Sequence, residues 1–197
     1  MYSFRGDLII PPLINIIMAS KLKTQPDNLS YLSPSGFSFI INKLPNVNYF
    51  CQGVTLPGIS INAVPVATAF TNIPFPGDRV EFQDLLIRFI IDEEMNNYQE
   101  IYNWMRGLGF PESHEEYVEV LKSDPKNPGP DSGIVSDAEL IVLTGGKTPQ
   151  IKFTFKDTFP LQLSSVNFDT NVEDIQYLQA DVTFAYRSYT IENLLNK

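Results

Sequence analysis

The sequence predicts a mainly β fold: a β-sandwich or barrel of antiparallel strands with one flanking α-helix. Roughly eight segments look like strands, and several alternate apolar and polar positions with the two-residue period of a strand. Residues 92–108 change to helical spacing. Proline repeatedly interrupts the segment 57–77, as it does at sheet edges. Short strands with one strong helix are typical of packed sheets with a helix on the side.

The composition is that of one folded domain. The 197 residues are 43% hydrophobic, with 14 Phe and 9 Tyr, which excludes disorder throughout the chain. The 23 acidic residues outnumber the 14 basic ones and give a net charge of −9, so we do not expect a protein that clamps nucleic-acid phosphates. Cys51 is the only cysteine, which excludes an intrachain disulfide and a cysteine-based zinc site.

The chain is predicted to divide into an apolar N-terminal arm with a polar linker (1–35) and a β domain (36–197). Residues 8–19 have the length of a signal-peptide core, but Asp7 precedes them and two prolines interrupt them, so secretion is not the preferred interpretation. No apolar run is long enough for a membrane span. Three side chains of the arm fall on one face of a short helix and are candidate interface residues: Leu13, Ile16 and Ile17.

The β domain is predicted to begin with a hairpin, followed by an extended excursion. Residues 37–41 and 47–54 are its strands, with a Pro-Asn turn signal at 45–46. Residues 59–66 and 69–75 are β-prone pieces bounded by proline. Because proline cannot donate to a ladder, we expect edge strands or a segment away from the sheet, where intermolecular contacts form. The candidate interface residues there are Pro57, Gly58, Pro65 and Pro74.

A buried strand and the helix come next. Residues 85–91 read as a strand that is apolar on both faces apart from Arg88. The acidic residues 92–94 can cap the helix that follows. Tyr98 and Tyr102 fit the apolar stripe of this helix, whereas Trp104 falls off the stripe and is predicted to contact a partner.

The remainder of the chain is predicted as an exposed loop and further strands. The loop at 112–133 is acidic and rich in proline. The strand signals cover 138–143, 151–155, 159–168 and 182–186, with a turn between the first two. The tail after the last strand is predicted to be helical or frayed.

Each candidate motif for catalysis or ligand binding is incomplete. Residues 145–148 end like a phosphate-binding loop, but Ile141 stands where the loop requires a glycine, so a hairpin turn is the better interpretation. His114 begins a metalloprotease-like string, but Val118 replaces the second histidine. No other histidine exists for a Ser-His-acid relay. Cys51 lacks a basic neighbour and is predicted as a small core residue.

The carboxylates also form no complete site. Those at 92–94 belong to a helix cap and those at 115–119 to a loop, so neither group lies in the apolar pocket that acid–base chemistry requires. The acidic segment 169–174 lacks the ligand spacing of a helix-loop-helix calcium site. We therefore predict no catalytic residue, no cofactor, no metal and no enzyme activity.

Three segments together resemble the tail tube family of contractile-tailed bacteriophages of the T-even type. They read YFCQGVTLPGISINAVPV (49–66), PFPGDRVEFQDLLIRFIIDEEMNNYQEIYNWM (74–105) and DTNVEDIQYLQADVTFAYRSY (169–189). The resemblance implies β-sandwich subunits in stacked hexameric rings, with strands paired between subunits around a channel that conducts the genome during ejection. It further implies tail sheath, baseplate or hub proteins as partners, no membrane, and a place in the virion tail after assembly in the host cytoplasm.

The resemblance leaves two functions open, the main tube subunit and, as the alternative, the baseplate protein on which the tube polymerises. An acidic chain suits a conduit, because like charge in the channel lets DNA pass without specific binding. Two other classes compete. One is a secreted or periplasmic binding domain with a cleaved leader, its ligand held by the helix at residues 98–104. The other, and weakest, is an enzyme that relies on carboxylates alone.

Overall fold

The computed structural model describes residues 30–109, 115, 117–118, 133–170 and 177–194. These residues form nine strands and two helices within the compact unit Pro34–Lys197. In chain order the elements are β1 (Phe37–Ile41), α1 (Pro45–Phe50), β2 (Cys51–Thr55), β3 (Ile59–Ala67), β4 (Asn72–Phe82), β5 (Leu85–Ile90), α2 (Asn96–Gly109), β6 (Ser136–Leu143), β7 (Pro149–Leu163), β8 (Gln179–Ala185) and β9 (Ser188–Asn193). No helix in this described part is long and apolar enough to span a membrane.

Seven of the strands form one antiparallel sheet in the order β1-β6-β7-β8-β5-β2, with β9 also paired to β7. The 15-residue strand β7 belongs to two layers. Its first half lies between β6 and β9, and its second half pairs with β8. The change occurs near Asp157, whose φ of 55° and a register shift at Pro160 bend the strand. The predicted antiparallel β-sandwich with a flanking helix is confirmed.

The hydrophobic core lies between the two layers. Alternate residues of each strand point inward, which is the two-residue period seen in the sequence. The buried side chains form one cluster: Phe39, Ile41, Ala138, Leu140, Phe153 and Phe155 from one layer, Leu85, Ile87, Phe89, Ala180, Val182 and Phe184 from the other, and Leu44, Val47, Ile101 and Trp104 from α1, α2 and the residue before α1. The indole of Trp104 lies 6.2 Å from the Phe184 ring, centroid to centroid, which seats α2 on the sandwich.

Helix α2 begins where the sequence predicts an acidic cap. The Asp92 carboxylate accepts hydrogen bonds from the backbone amides of Asn96 and Asn97, at 3.2 and 3.1 Å. These are amides that a helix start leaves without an intrahelical partner. The buried Asn97 side chain donates to the Ile90 carbonyl at 2.7 Å, which ties the helix to β5. The predicted helix and the capping role of Asp92 are confirmed.

The predicted hairpin of residues 37–41 and 47–54 is wrong. Residues 45–50 form helix α1, and β1 pairs with β6 instead. Pro45 occupies the start of α1, where a missing N–H costs nothing. Asn48 on this helix bonds the Ile41 amide at 2.8 Å and the Ile41 carbonyl at 2.9 Å, so a side chain takes the place of a strand partner.

Two predictions near the C-terminus also need correction. Residues 159–163 continue β7 rather than forming a separate strand over 159–168. The tail, predicted to be helical or frayed, contains strand β9, which pairs with β7 from Ile151 to Lys156. Short strands at chain ends take their stability from the neighbour they pair with, which a local sequence pattern does not reveal.

Candidate assembly interface

Strands β3 and β4 form a hairpin of their own, paired with each other and outside the seven-stranded sheet. Every residue of β3 is exposed, and every residue of β4 is exposed except Gly77, which is half-buried. The prediction that this proline-rich segment is an excursion from the sheet is confirmed. Pro65 and Pro74 are register partners here, so each lies on an edge-type strand that tolerates a missing N–H.

Both faces of this hairpin are apolar. Alternation along β3 puts Ile59 and Ile61 on one face and Val64 and Val66 on the other. Their cross-strand partners are also large and apolar: Phe82 and Val80 for the first pair, Phe75 and Ile73 for the second. These eight side chains remain 37–61% exposed, and Phe70 at the tip is 99% exposed. The large apolar side chains therefore lie on one face in the half next to the sandwich and on the opposite face in the half next to the tip, which makes the hairpin a candidate interaction surface.

A bulge divides the hairpin into a proximal and a distal half. Ile61 pairs with Val80 and Ala63 with Pro76, so residues 77–79 oppose the single residue Asn62. Gly77 is required there, because a Cβ on it would lie 2.3 Å from the Asn62 carbonyl oxygen. The bulge therefore depends on one glycine.

The base of the hairpin is closed by polar contacts. Gln83 donates its backbone N–H to the Gly58 carbonyl at 3.1 Å, and its side-chain oxygen accepts the Gly58 N–H at 3.3 Å. The Tyr186 hydroxyl donates to the Gln83 carbonyl at 2.8 Å. Burial, followed by the neighbouring Tyr189 and Asp84, raises the pKa of Tyr186 to about 12, so its hydroxyl keeps the proton that it donates.

Three strands of the large sheet carry a free backbone edge in the described part of the chain. They are β1 and β2 at the ends of the strand order, and β9 outside β7. Free edges can pair with a strand of another molecule. Together with the hairpin, these strands are candidate surfaces for association, by apolar burial and by strand pairing.

The sequence model described as "Phage tail tube protein" matches residues 9–192 of this chain. The chain belongs to the phage tail tube protein family. It is 28% identical over 149 residues to the tail tube terminator protein of Enterobacteria phage T4, covering 72% of this chain and 76% of that protein. This membership confirms the resemblance seen in the sequence and establishes a structural role associated with the phage tail tube.

Solved structures of contractile injection systems share the tail tube fold. The tube-terminating cap of the anti-feeding prophage gives a TM-score of 0.53 at 12% identity, covering 87% of this chain and 98% of that one. The sheath/tube terminator of the PVC system in its extended state gives 0.52 at 15% identity, covering 84% and 99%. The six-fold symmetrised baseplate of the anti-feeding prophage gives 0.51 at 12% identity, covering 83% and 97%. At these identities the likeness shows the fold alone.

The structure separates the predicted interface residues into three groups. Leu13, Ile16 and Ile17 lie outside the described residues. Gly58, Pro65 and Pro74 are exposed on the hairpin or at its base. Pro57 is buried and cannot present a surface to a partner.

The predicted partner contact through Trp104 is wrong. Trp104 is 2% exposed, its Nε1 donates to the Ile134 carbonyl at 3.0 Å, and the Lys43 ammonium lies 4.7 Å from the ring centroid. The buried face of α2 runs through Asn97, Ile101 and Trp104, spaced four and three residues apart. The buried face of the helix is therefore turned toward Trp104 relative to the predicted apolar stripe, and Tyr102, which the stripe included, is 49% exposed.

Sequence reasoning missed the large apolar residues of the hairpin as interface candidates. It selected the prolines, which mark the edge, rather than Val64, Phe75 and their neighbours, which supply the apolar area. The signal was present: strands that are apolar at consecutive positions read as buried on both faces. Among the described elements, β3 and β4 pair only with each other and these side chains stay at least 37% exposed, so the hairpin is a candidate surface for another molecule to cover.

The described segments that resemble catalytic or ligand-binding motifs have structural roles. Residues 145–148 lie in the predicted turn, closed by the Lys147 amide bonded to the Thr144 carbonyl at 2.8 Å. Cys51 is half-buried against the core as predicted, and burial raises the pKa of its thiol to about 11. Among the described residues, no group of three or more His, Cys, Asp or Glu is placed to hold a metal ion. His114 lies outside these residues.

Proposed function

We propose that this chain is a structural ring subunit that ends the tail tube of a phage. The observation that carries ring formation is the β3–β4 hairpin, whose large apolar side chains stay 37–99% exposed in the described part of the chain. Burial of these side chains against a neighbour contributes roughly 25 cal/mol per Å² of apolar area, before the costs of association. In this proposal the hairpin therefore supplies most of the apolar area that is buried between subunits.

The occupant of the hairpin surface in this proposal is a second copy of the chain. The subunit offers both halves of a head-to-tail contact, an apolar hairpin and, elsewhere, open strand edges to receive it. A head-to-tail contact that repeats by rotation closes into a ring. Strand pairing through β1, β2 or β9 would satisfy the edges at the same time. Leu13, Ile16, Ile17, Gly58, Pro65 and Pro74 remain interface candidates in this arrangement.

The position at the end of the tube is supported by the relatives. The T4 protein that is 28% identical is named a tail tube terminator, and two structures with this fold come from a tube-terminating cap and a sheath/tube terminator. Six-fold symmetry, stated for the related baseplate, supports a hexameric ring. Partners would be the last tube ring and the tail sheath. The net charge of −9 suits a ring through which DNA passes without sticking.

The second candidate is the repeated subunit of the main tube, or the baseplate layer that initiates it, as the sequence resemblance suggested. Copy number per virion separates these functions. A terminator or an initiator forms one ring at one end of the tail, whereas the main tube requires many stacked rings. Immunogold labelling of virions would place a single ring at the head-proximal or the baseplate end.

The ring proposal is tested by a pair of matched substitutions. Phe75→Ser removes an apolar side chain from the hairpin, and Phe168→Ser removes one that is 70% exposed outside the regular strands. Sedimentation and negative-stain electron microscopy should show rings for the unaltered protein and Phe168→Ser, and monomers for Phe75→Ser with an unchanged circular dichroism spectrum. A monomeric unaltered protein at all concentrations, also in the presence of tail tubes, would refute the proposal.

A further inference from the structure

The hairpin leaves the sandwich at an aromatic cluster. Phe82, the last residue of β4, lies 5.6 Å from Tyr189 and 6.0 Å from Tyr186, measured between ring centroids. These two tyrosines flank the turn between β8 and β9. The hairpin therefore meets the sandwich through side chains of a different part of the chain, more than 100 residues away in the sequence.

This cluster is anchored in the buried core. The ring of Phe155, which is completely buried, lies 5.1 Å from Tyr186 and 5.5 Å from Tyr189. The two tyrosines lie 6.1 Å from each other, and the Phe155–Tyr186 pair is edge-on. Aromatic pairs at such distances are favourable beyond the area they bury. Phe82 thus packs on a surface that the core holds in place.

Gln83 extends the same anchor through the backbone. Its carbonyl accepts the Tyr186 hydroxyl, while its amide and side chain hold Gly58 at the start of the opposite strand. Both strands of the hairpin are consequently fixed at the base. Beyond it, β3 and β4 pair only with each other among the described strands, so within the described part of the chain the base sets the direction of the arm.

We propose that Phe82, Gln83, Tyr186 and Tyr189 form a clamp that fixes the direction of the β3–β4 hairpin, and that they are positioning residues for subunit association. A preorganised arm loses less conformational freedom when it docks than an arm that swings. The consequence for association rests on the proposed function. The fixed direction of the hairpin does not depend on the proposed function, because it is a property of the single chain.

Two conservative variants separate the clamp from general stability. Tyr186→Phe removes the hydrogen bond to Gln83 and keeps the ring. Tyr189→Phe is the matched control, because no hydrogen bond to the Tyr189 hydroxyl occurs among the described residues. Phe82→Leu is a stronger variant that keeps an apolar residue at the end of β4 and loses both ring contacts.

The direction of the arm is measured in single chains by electron–electron double resonance. Spin labels are placed at Thr71→Cys near the tip and Ser38→Cys on β1, in a Cys51→Ala background with Phe75→Ser to keep the protein monomeric. We expect a narrow distance distribution for the parent and Tyr189→Phe, a broader one for Tyr186→Phe, and the broadest for Phe82→Leu. A broad distribution in the parent, or equal widths for the parent and Phe82→Leu, would overturn the clamp.

Association is measured separately, with the natural Phe75 and Cys51 restored. Tyr186→Phe should raise the protein concentration for half-assembly about threefold to tenfold, as expected for one lost hydrogen bond, while Tyr189→Phe leaves it unchanged. Unchanged assembly in Phe82→Leu despite a broadened distribution would refute the positioning role. An unaltered protein that never assembles would refute the proposed function and leave the distance measurement to decide the clamp.

Discussion

Arg88 and Asp181 face each other across β5 and β8, with Nε and Nη2 of the guanidinium 2.7 and 3.0 Å from the two carboxylate oxygens. The pair lies on the outer face of the sheet, opposite the buried residues Ile87 and Val182. Arg88 was the one charged exception in an otherwise apolar strand, and its register partner is an acid. The hydrogen bond from Arg88, with its charge, holds the pKa of the Asp181 carboxyl below its ordinary value.

The lowered pKa predicts a pH-dependent effect of Asp181→Asn. Because the folded-state pKa lies below the unfolded-state value, the carboxylate stabilises the fold above the unfolded value, and this stabilisation is lost as the pH falls through the folded value. We expect Asp181→Asn to lower the urea midpoint slightly at pH 7, since the pair is exposed to solvent, and the difference from the unaltered protein to vanish once the pH lies below the folded-state pKa of Asp181. Asp78→Asn on the hairpin is the control. An effect of Asp181→Asn that grows as the pH falls would contradict this assignment.

Trp104 is predicted to be a stability residue rather than a binding residue. Trp104→Ala should reduce the free energy of unfolding by about 3–5 kcal/mol, because it empties a core site and leaves the Ile134 carbonyl without its donor. Tyr102→Ala on the same helix should cost less than about 1 kcal/mol, because Tyr102 is half-exposed. Guanidinium unfolding followed by far-ultraviolet circular dichroism measures both. Equal losses for the two variants would show that Trp104 has been misplaced.

Gly77→Ala should damage the hairpin and spare the sandwich. The added Cβ collides with the Asn62 carbonyl, so the bulge has to open, whereas a Cβ on Gly145 meets no atom within 4 Å. We expect faster hydrogen exchange in residues 59–82 and loss of assembly for Gly77→Ala, with an unchanged melting temperature of the sandwich. Gly145→Ala should match the unaltered protein in all three measurements. Normal exchange and assembly in Gly77→Ala would show that the bulge is dispensable.

Thr158→Val should leave stability unchanged or raise it by up to about 1 kcal/mol. The Thr158 hydroxyl is buried with no hydrogen-bond partner in the described part of the chain, and the substitution replaces it with a methyl group of the same shape. Thr158→Ala serves as the comparison and should be destabilising, because it leaves a small cavity. Thermal unfolding of both variants tests this expectation. A clear loss of stability in Thr158→Val would reveal a partner for the hydroxyl.

The parts of the fold that could be predicted are those fixed by local pattern. The predicted strand that became β8 alternates cleanly, and the one that became β5 is a short apolar run interrupted only by Arg88. The change of period after Asp92 marked α2. The proline spacing identified the hairpin as separate from the sheet. In each case the residues carry the information within one short window of sequence.

The remaining features depend on distant contacts. Residues 47–50 were predicted as the start of a strand but belong to α1, where Asn48 bonds Ile41 and Val47 enters the core. Strand β9 forms by pairing with residues Ile151–Lys156 of β7, which lie far from it in the sequence. The buried face of α2 is set by the contacts of Trp104 with Phe184 and Ile134. These residues lie outside the helix, so its own sequence pattern does not show them. The sequence identified the candidate segment, but the exposure of its large apolar side chains is seen only in the structure.

The two uncovered faces of the hairpin also bear on the life of the newly made chain. Nine large apolar side chains, from Ile59 to Phe82, are at least 37% exposed in the described part of the chain. During infection, unassembled copies would compete between productive docking and clumping, and the balance would shift with their number. A protein needed in few copies tolerates such a surface more easily than one made in great excess, so an exposed apolar hairpin would be compatible with a low copy number.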